Sequence, residues 1–255
     1  MNRPGTALQA VVLAGGRATR LGRLATTVPK VLQPVGGRPF LHHLLEPLVR
    51  SGLRRFHFCL GHLAEPVVRH LRELPETLEV TFQVETVPRG TGGALRAALP
   101  HLDDRFLLLL GDTHLPLDYS SAATWCGPDQ EGAMLVTSAH TGVAPNTAVT
   151  GDLVTWYGKT AGHAGRPPGQ TPAWTDTGVC VLRRSALRHV SALPDPMDLG
   201  SLFQALIRRG TLAARRTDVP FTDIGTPERY ARFRDRYGTP EASTSPLDDI
   251  HKTAK

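Results

Sequence analysis

The sequence predicts an α/β fold: a doubly wound, mostly parallel (Rossmann-like) mixed sheet in a single domain over residues 7–238. Two observations predict this fold. Apolar segments alternate with segments of helical periodicity, an order typical of parallel strands joined by right-handed crossovers. Glycine or acidic residues directly follow three of the apolar segments, and ligands of such sheets bind beyond the carboxyl ends of the strands. With 255 residues and 40% hydrophobic content, the chain can form one large core.

The first half of the chain carries the clearest alternation. The predicted elements, in order, are a strand at 10–14, a helix at 40–51, a strand at 55–60, a helix at 64–74, a strand at 79–85, a helix at 92–99 and a strand at 106–110. Leu41, Leu44, Leu45 and Leu48 recur at helical spacing in the first helix. Pro47 lies inside that stretch and predicts a kink or a new segment there.

The second half is less regular. The predicted elements are strands at 133–138, 149–157 and 178–183, a Gly- and Pro-rich loop at 158–174, and two helices. Asp198 is a candidate cap for the first of these helices, which Gly210 would end, and Thr226 with Pro227 would start the second. Residues 239–255 are polar and predict a disordered tail.

Composition restricts the classes of function. The net charge is +6, but the arginines are scattered and only 6% of residues are aromatic, which argues against nucleic-acid binding. No apolar run approaches the roughly 18–20 residues of a membrane helix. The three cysteines are widely spaced, with no CxxC pattern, and therefore favour a reduced cytoplasm.

Lysine is scarce in this chain. Of 29 basic residues only four are lysines: Lys30, Lys159, Lys252 and Lys255. The last two belong to the polar tail, so the predicted domain keeps two. Since arginine supplies the other positive charges, these two positions are expected to need a compact ammonium group.

A glycine turn follows the first predicted strand. Gly15 and Gly16 let the backbone approach a ligand, and Arg20 and Lys30 add positive charge nearby. The pattern is neither the dinucleotide fingerprint nor the P-loop. The glycines alone would fit an ordinary strand–helix turn, but together with Arg20 and Lys30 they indicate a triphosphate site.

This region resembles the signature of the sugar-1-phosphate nucleotidyltransferases. The residues that carry the resemblance are Gly15-Gly16-Arg17-Ala18-Thr19-Arg20-Leu21 and, after a short gap, Pro29-Lys30-Val31-Leu32-Gln33-Pro34-Val35-Gly36-Gly37-Arg38-Pro39. Ala18 replaces the family's usual glycine, which is tolerated if its φ is negative. The resemblance implies the single-domain nucleotidyltransferase fold. It also implies that Arg20 and Lys30 are catalytic and that Leu13, Ala14, Gly15 and Gly16 bind nucleotide.

A second segment resembles the part of the family that recognises the nucleobase. It reads Glu85-Thr86-Val87-Pro88-Arg89-Gly90-Thr91-Gly92-Gly93-Ala94. The resemblance implies nucleotide-binding roles for Glu85, Gly90, Thr91 and Gly92. The GTGGA form is similar to that of heptose-1-phosphate and mannose-1-phosphate guanylyltransferases, so GTP is the expected donor. By itself the segment also fits a glycine-rich helix start.

Two further segments resemble the family's metal-binding motifs. Leu109-Leu110-Gly111-Asp112 matches LxGD, and Asp223-Ile224-Gly225-Thr226-Pro227-Glu228 matches D-x-G-T-P-E. The resemblance implies that Asp112 and Asp223 hold Mg²⁺, a hard cation that prefers oxygen ligands. Each aspartate alone would also fit a turn or helix cap.

The resemblance assigns the sugar phosphate to the second half. It implies that Gly111, Lys159, Asp176, Thr177 and Gly178 bind this substrate. Two features depart from the family. Gly158 replaces a glutamate before Lys159, and Asp176-Thr177-Gly178 replaces Asn-Ala-Gly.

The implied reaction joins a nucleoside triphosphate to a heptose or hexose 1-phosphate, giving a nucleotide-sugar and pyrophosphate. The alternatives are an ADP-, UDP- or CDP-sugar-forming member of the same family, a non-catalytic nucleotide-sugar-binding regulator, and a nucleic-acid binder. The sequence leaves open whether the protein is a monomer or a homo-oligomer.

Overall fold

A computed structural model describes residues 8–139, 141–158 and 171–238. The strands in chain order are β1 (Gln9–Ala14), β2 (Pro34–Val35), β3 (Arg38–Pro39), β4 (Arg55–Leu60), β5 (Glu79–Val84), β6 (Arg105–Leu110), β7 (Thr113–His114), β8 (Gly132–Thr137), β9 (Thr147–Thr150), β10 (Leu153–Tyr157), β11 (Thr175–Arg183), β12 (Leu212–Thr217) and β13 (Thr222–Asp223). The α-helices are α1 (Phe40–Arg50), α2 (Ala64–Arg72), α3 (Gly90–Ala97), α4 (Leu199–Arg209) and α5 (Pro227–Tyr237). Lys159 and the tail at 239–255 lie outside the described residues.

A nine-stranded sheet forms the centre of the molecule. Its order is β5-β4-β1-β6-β11-β8-β12-β10-β9, and β5, β4, β1 and β6 run parallel. Strand β11 is antiparallel to both β6 and β8, while β12 is parallel to β8. The strands of the first half thus end at one edge, as predicted, and the fold class is confirmed.

Helices cover both faces of the sheet, as a doubly wound fold requires. Buried side chains of α1, α2 and α5 pack with Val12 on one face. Those of α3 and α4 pack with Val11 and Leu13 on the other. Adjacent residues of β1 therefore serve opposite cores, because successive side chains of a strand point to opposite faces.

Three local expectations differ from the structure. The strand predicted at 149–157 is a hairpin, β9 and β10, turned at Gly151 with a φ of 56°. Pro47 neither breaks α1 nor starts a new segment, and the helix continues to Arg50. Strand β12 was not predicted, because Arg215 and Arg216 interrupt its apolar run.

Helix α5, near the end of the described residues, packs against α1 and β2 from the first part of the chain. Phe233 is fully buried and meets Phe40 of α1 edge-on, with ring centroids 5.1 Å apart. The Tyr230 hydroxyl donates a hydrogen bond to the Pro34 carbonyl at 2.6 Å. The helix therefore supports the segment that follows Lys30.

None of the helices in the described ranges has the length and apolar character needed to cross a membrane.

Phe233→Ala should lower the free energy of unfolding by about 3–5 kcal/mol, because it leaves a cavity between α5 and α1. Urea denaturation measures this change. Leu193→Ala is the control: Leu193 is 42% exposed, so its truncation should cost less than roughly 0.5 kcal/mol. Equal losses in the two variants would contradict this account of α5.

Candidate active site

A cavity of about 560 Å³ opens at the carboxyl ends of β1, β4 and β6. It is bordered by most of the predicted nucleotide-binding and catalytic residues, namely Leu13, Ala14, Gly15, Gly16, Arg20, Lys30, Glu85, Gly90 and Thr91. Gly111, predicted to bind the sugar phosphate, and Asp112, predicted to hold the metal, border it as well. Gly92, Asp176, Thr177, Gly178 and Asp223 do not border it. Lys159 falls outside the described residues.

The parallel register places three glycines together at this edge, namely Gly15, Gly61 and Gly111. Ala14 pairs with Leu60, and Leu13 pairs with Leu110, so the residues that follow each strand meet. The Gly111 N–H donates to the Leu13 carbonyl at 2.9 Å. A Cβ on Gly111 would lie 2.8 Å from that carbonyl oxygen, so this close approach of the backbones requires glycine.

The loop after β1 exposes backbone to the cavity. A Cβ added at Gly16 would meet nothing within 4 Å. Ala18 has a φ of 51°, so the negative φ on which tolerance of alanine at this position depended is not present. An alanine in the left-handed region costs roughly 1 kcal/mol, so Ala18 is a strained position of this loop.

Lys30 and Asp112 meet within the cavity. The Lys30 Nζ lies 2.8 Å from Asp112 Oδ2, and the two side chains are 15% and 24% exposed. A short 3₁₀ turn, Lys30–Leu32, begins at the lysine. The buried Gln33 side chain donates to the Leu24 and Val28 carbonyls, which fixes the loop that precedes Lys30. This role of Gln33 was not anticipated from the sequence.

Asp112 and Asp223, far apart in the chain, lie on paired backbones. Strand β13 pairs with β7 so that Asp223 faces Thr113, and the Ile224 N–H donates to the Asp112 carbonyl at 2.9 Å. Asp223 Oδ2 accepts from Arg229 Nη1 at 2.8 Å. Each acidic side chain therefore already pairs with a cation of its own chain.

Glu85 follows β5 and faces the cavity. Its Oε2 accepts a hydrogen bond from the Arg89 backbone N–H at 3.2 Å. Partial burial raises the pKa of the Glu85 carboxyl above its usual value, and the Arg89 hydrogen bond opposes that shift. Among the described residues Oε1 accepts no hydrogen bond, so this carboxylate at the wall of the cavity keeps one oxygen available.

The start of α3 is packed against a segment from the second half of the chain. The Gly92 N–H donates to the Met197 carbonyl at 2.9 Å, which places Gly92 behind the cavity wall. The Thr91 hydroxyl accepts the Leu199 N–H at 2.9 Å. Gly90 has a φ of 73°, and a Cβ there would collide with the Met197 carbonyl.

The three predicted residues at the start of β11 lie beside the end of β6, because the antiparallel register sets Val179 opposite Leu109. Their hydrogen bonds join them to one another and to neighbouring segments of the chain. The buried Thr177 donates to the Leu135 carbonyl at 2.9 Å, and the Gly178 N–H donates to Asp176 Oδ1 at 2.9 Å. Burial and the neighbouring Asp176 raise the pKa of the Tyr157 hydroxyl, and that hydroxyl hydrogen-bonds to Asp176.

Gly61 and His62 also border the cavity, although the sequence analysis did not select them. They directly follow β4, so the rule that selected Gly15 and Asp112 also applies to them. The His62 N–H donates to the Gly15 carbonyl at 3.1 Å and joins the two strand ends.

Comparison with known proteins gives the family of this chain. A family model, the MobA-like NTP transferase domain, matches residues 10–209. The UTP–glucose-1-phosphate uridylyltransferase AglF of Haloferax volcanii is 29% identical over 87% of this chain and 93% of its own length. The D-glycero-alpha-D-manno-heptose 1-phosphate guanylyltransferase of Campylobacter jejuni is 28% identical over 44% of this chain and 51% of its own length, about half of that relative.

The solved structures include one of the same fold. HddC from Yersinia pseudotuberculosis, crystallised in complex with GMP-PN, superposes with a TM-score of 0.71 at 24% identity, covering 91% of this chain and 100% of its own.

The chain belongs to the MobA-like NTP transferase family, and the predicted resemblance to sugar-1-phosphate nucleotidyltransferases is confirmed. The relatives differ in the nucleotide they use, guanylyl in one and uridylyl in another. The family therefore leaves the base to be argued from this chain's own residues.

Substitution of two glycines of the site by alanine should change the unfolding free energy to very different extents. Gly90→Ala forces a side chain into the left-handed region against Met197, so we expect a loss of roughly 2 kcal/mol or more in unfolding free energy. Gly16→Ala meets open space, so its stability should stay within about 0.5 kcal/mol of the parent. Thermal and urea unfolding of both variants test this contrast, which equal losses would refute.

Proposed function

We propose that this protein transfers a guanylyl group from GTP to a heptose or hexose 1-phosphate, releasing pyrophosphate. The observation that carries the proposal is one cavity where backbone glycines, Arg20, Lys30 and Asp112 meet at the ends of the parallel strands. The family match supports nucleotidyl transfer. The Campylobacter relative supports the choice of a heptose 1-phosphate as acceptor.

The proposed reaction requires neutralisation of negative charge between the two substrates and does not require a general base. A sugar phosphate is already an anionic nucleophile, so the difficulty is its approach to a second anion at the α-phosphorus. Positioning and electrostatic stabilisation carry catalysis in such reactions. Arg20 would grip the triphosphate and the leaving pyrophosphate, and Lys30 would hold the α-phosphate and the incoming phosphate. Lys159 is proposed to orient the sugar phosphate.

The two aspartates suit a hard divalent cation. Within the described ranges no cluster of three or more His, Cys, Asp or Glu could hold a metal ion. Two carboxylates on paired backbones with phosphate oxygens as further ligands form a donor set typical of Mg²⁺, which seldom occupies an all-protein cage. We propose that Asp112 and Asp223 hold Mg²⁺, which when bound supplies positive charge to the phosphates.

Glu85 favours guanine over the other bases. The Watson–Crick edge of guanine presents two adjacent donors, N1–H and the 2-amino group, whereas uracil, thymine, cytosine and adenine present only one donor on that edge. A carboxylate accepts only, so it matches guanine's paired donors. The Arg89 N–H occupies part of Oε2 and leaves Oε1 and a remaining lone pair for the base.

Lys30→Ala should lower turnover by at least roughly two to three orders of magnitude, because it removes a preorganised charge at the reacting phosphates. Steady-state pyrophosphate release measures the loss. The substitution also removes the cation that pairs with Asp112 at 2.8 Å, so the unfolding free energy is measured alongside turnover to separate the lost charge from lost structure.

Two variants control this experiment. Lys30→Arg keeps the charge but not the compact ammonium, so it should restore only part of the activity. Arg72→Ala removes an exposed cation from α2, away from the cavity, and should leave turnover unchanged. Near-normal turnover of Lys30→Ala would overturn the catalytic assignment.

Glu85→Gln should lower kcat/KM for GTP by about 10- to 100-fold, because an amide donor then faces a guanine donor. The same variant should lose less with UTP or dTTP, so the preference for guanine narrows. Glu79→Gln, an exposed change at the opposite end of β5, is the matched control. An unaltered ratio between GTP and UTP in the Glu85 variant would exclude this residue as the reader of the base.

A further inference from the structure

A segment of the second half of the chain clamps α3 by its side chains. This segment, residues 195–198, precedes α4 and is called the α4 lead here. Asp195 Oδ2 accepts from Arg89 Nη1 at 2.8 Å, and Asp195 Oδ1 accepts from Arg96 Nη2 at 2.7 Å. One carboxylate therefore ties together the residue before α3 and a residue of its last turn.

The backbone of the α4 lead fixes the same region. The Met197 N–H donates to the Arg89 carbonyl at 2.8 Å, while the Met197 carbonyl accepts from Gly92 at 2.9 Å. A Cβ on Gly93 would collide with Asp195 Oδ1, so the glycines of α3 permit this close packing. The backbone carbonyl of Arg89 is thus fixed by a hydrogen bond from the α4 lead.

The backbone N–H of Arg89, by contrast, points to Glu85. The Arg89 N–H donates to Glu85 Oε2 at 3.2 Å, which orients the carboxylate that faces the cavity. The Arg89 side chain is 48% exposed, so its pairing with Asp195 buries little surface. Its clearest consequence is that the guanidinium of Arg89 is directed toward Asp195.

Removing the charge of Asp195 removes its ion pair with Arg89 and leaves the Arg89 guanidinium able to pair with Glu85 instead. Glu85 lies four residues before Arg89, and the two already interact electrostatically, with Asp195 acting in the opposite sense on Glu85. Without Asp195, Glu85 remains as an acid that already interacts electrostatically with the Arg89 guanidinium. A guanidinium bound there would occupy the oxygens that face the base.

We propose that Asp195 is a positioning residue for nucleobase selection, which holds Arg89 so that Glu85 stays open to the base. This inference rests on the proposed role of Glu85 in a nucleotide-binding site. It adds a residue from the second half of the chain, remote in sequence from every motif of the site, to the determinants of base specificity.

Asp195→Asn tests this inference with GTP and ITP, since ITP lacks the 2-amino group of guanine. We expect KM for GTP to rise about fivefold while kcat stays within about twofold, because the change affects binding of the base and not the reacting phosphates. The ratio of kcat/KM for GTP over ITP should shrink. Asp195→Glu should recover part of the parent's ratio.

The double variant Asp195→Asn/Arg89→Gln separates positioning from simple loss of structure. If a freed Arg89 covers Glu85, removing its charge should restore part of the GTP-over-ITP ratio. Asp152→Asn is the matched control, since it breaks an exposed Asp–Arg pair of 3.0 Å at the far edge of the sheet. It should change neither KM nor the ratio.

An unchanged GTP affinity and an unchanged ratio in Asp195→Asn would overturn the inference. The inference would also be overturned if the ratio of kcat/KM for GTP over ITP were as low in the double variant as in Asp195→Asn. Failure of the proposed function is seen separately, as absence of turnover in the parent protein. Titration calorimetry with GTP and ITP then still reads the effect of Asp195 on the bound base.

Discussion

Every part of the site depends on the parallel pairing of β1 with β4 and β6. That pairing aligns the three strand ends, so the residues after each strand share one edge of the sheet. Its tightest point is the contact between Gly111 and the Leu13 carbonyl, which a side chain would prevent. The alignment brings the glycines after β1 and the Gly111-Asp112 pair after β6 to one cavity, although the two segments are far apart in sequence, and the Lys30 side chain reaches the same cavity.

The charges at this edge are balanced within the protein. Lys30 pairs with Asp112 and Arg229 pairs with Asp223, so neither acid is left beside the other without a cation. Phosphate groups would compete for Lys30 and a divalent cation would compete for both acids. The arrangement is therefore suited to ligands that arrive as a metal-bound polyphosphate, in which each of these partners is exchanged for another of the same charge.

The sequence was most informative where local chemistry determines structure. Gly15, Glu85 and Asp112 lie at the ends of predicted strands, so a general rule about strand ends placed them at one edge. It was least informative where distant segments meet. The glycines of α3 were interpreted from the family as a base-reading motif, yet all three also fit against residues 195–198, a contact that no local pattern encodes. Ala18 shows the same limit, because its left-handed φ depends on how the loop closes.

The most direct test of nucleotidyl transfer is pyrophosphate release with Mg²⁺, measured for GTP, ATP, UTP, CTP and dTTP against a panel of hexose and heptose 1-phosphates. The account predicts release that requires both substrates and is fastest with GTP and one sugar phosphate. Release with another triphosphate would retain the reaction and reject the reading of the base through Glu85. No release from any pair, although a triphosphate binds, would contradict the proposed transfer to these sugars.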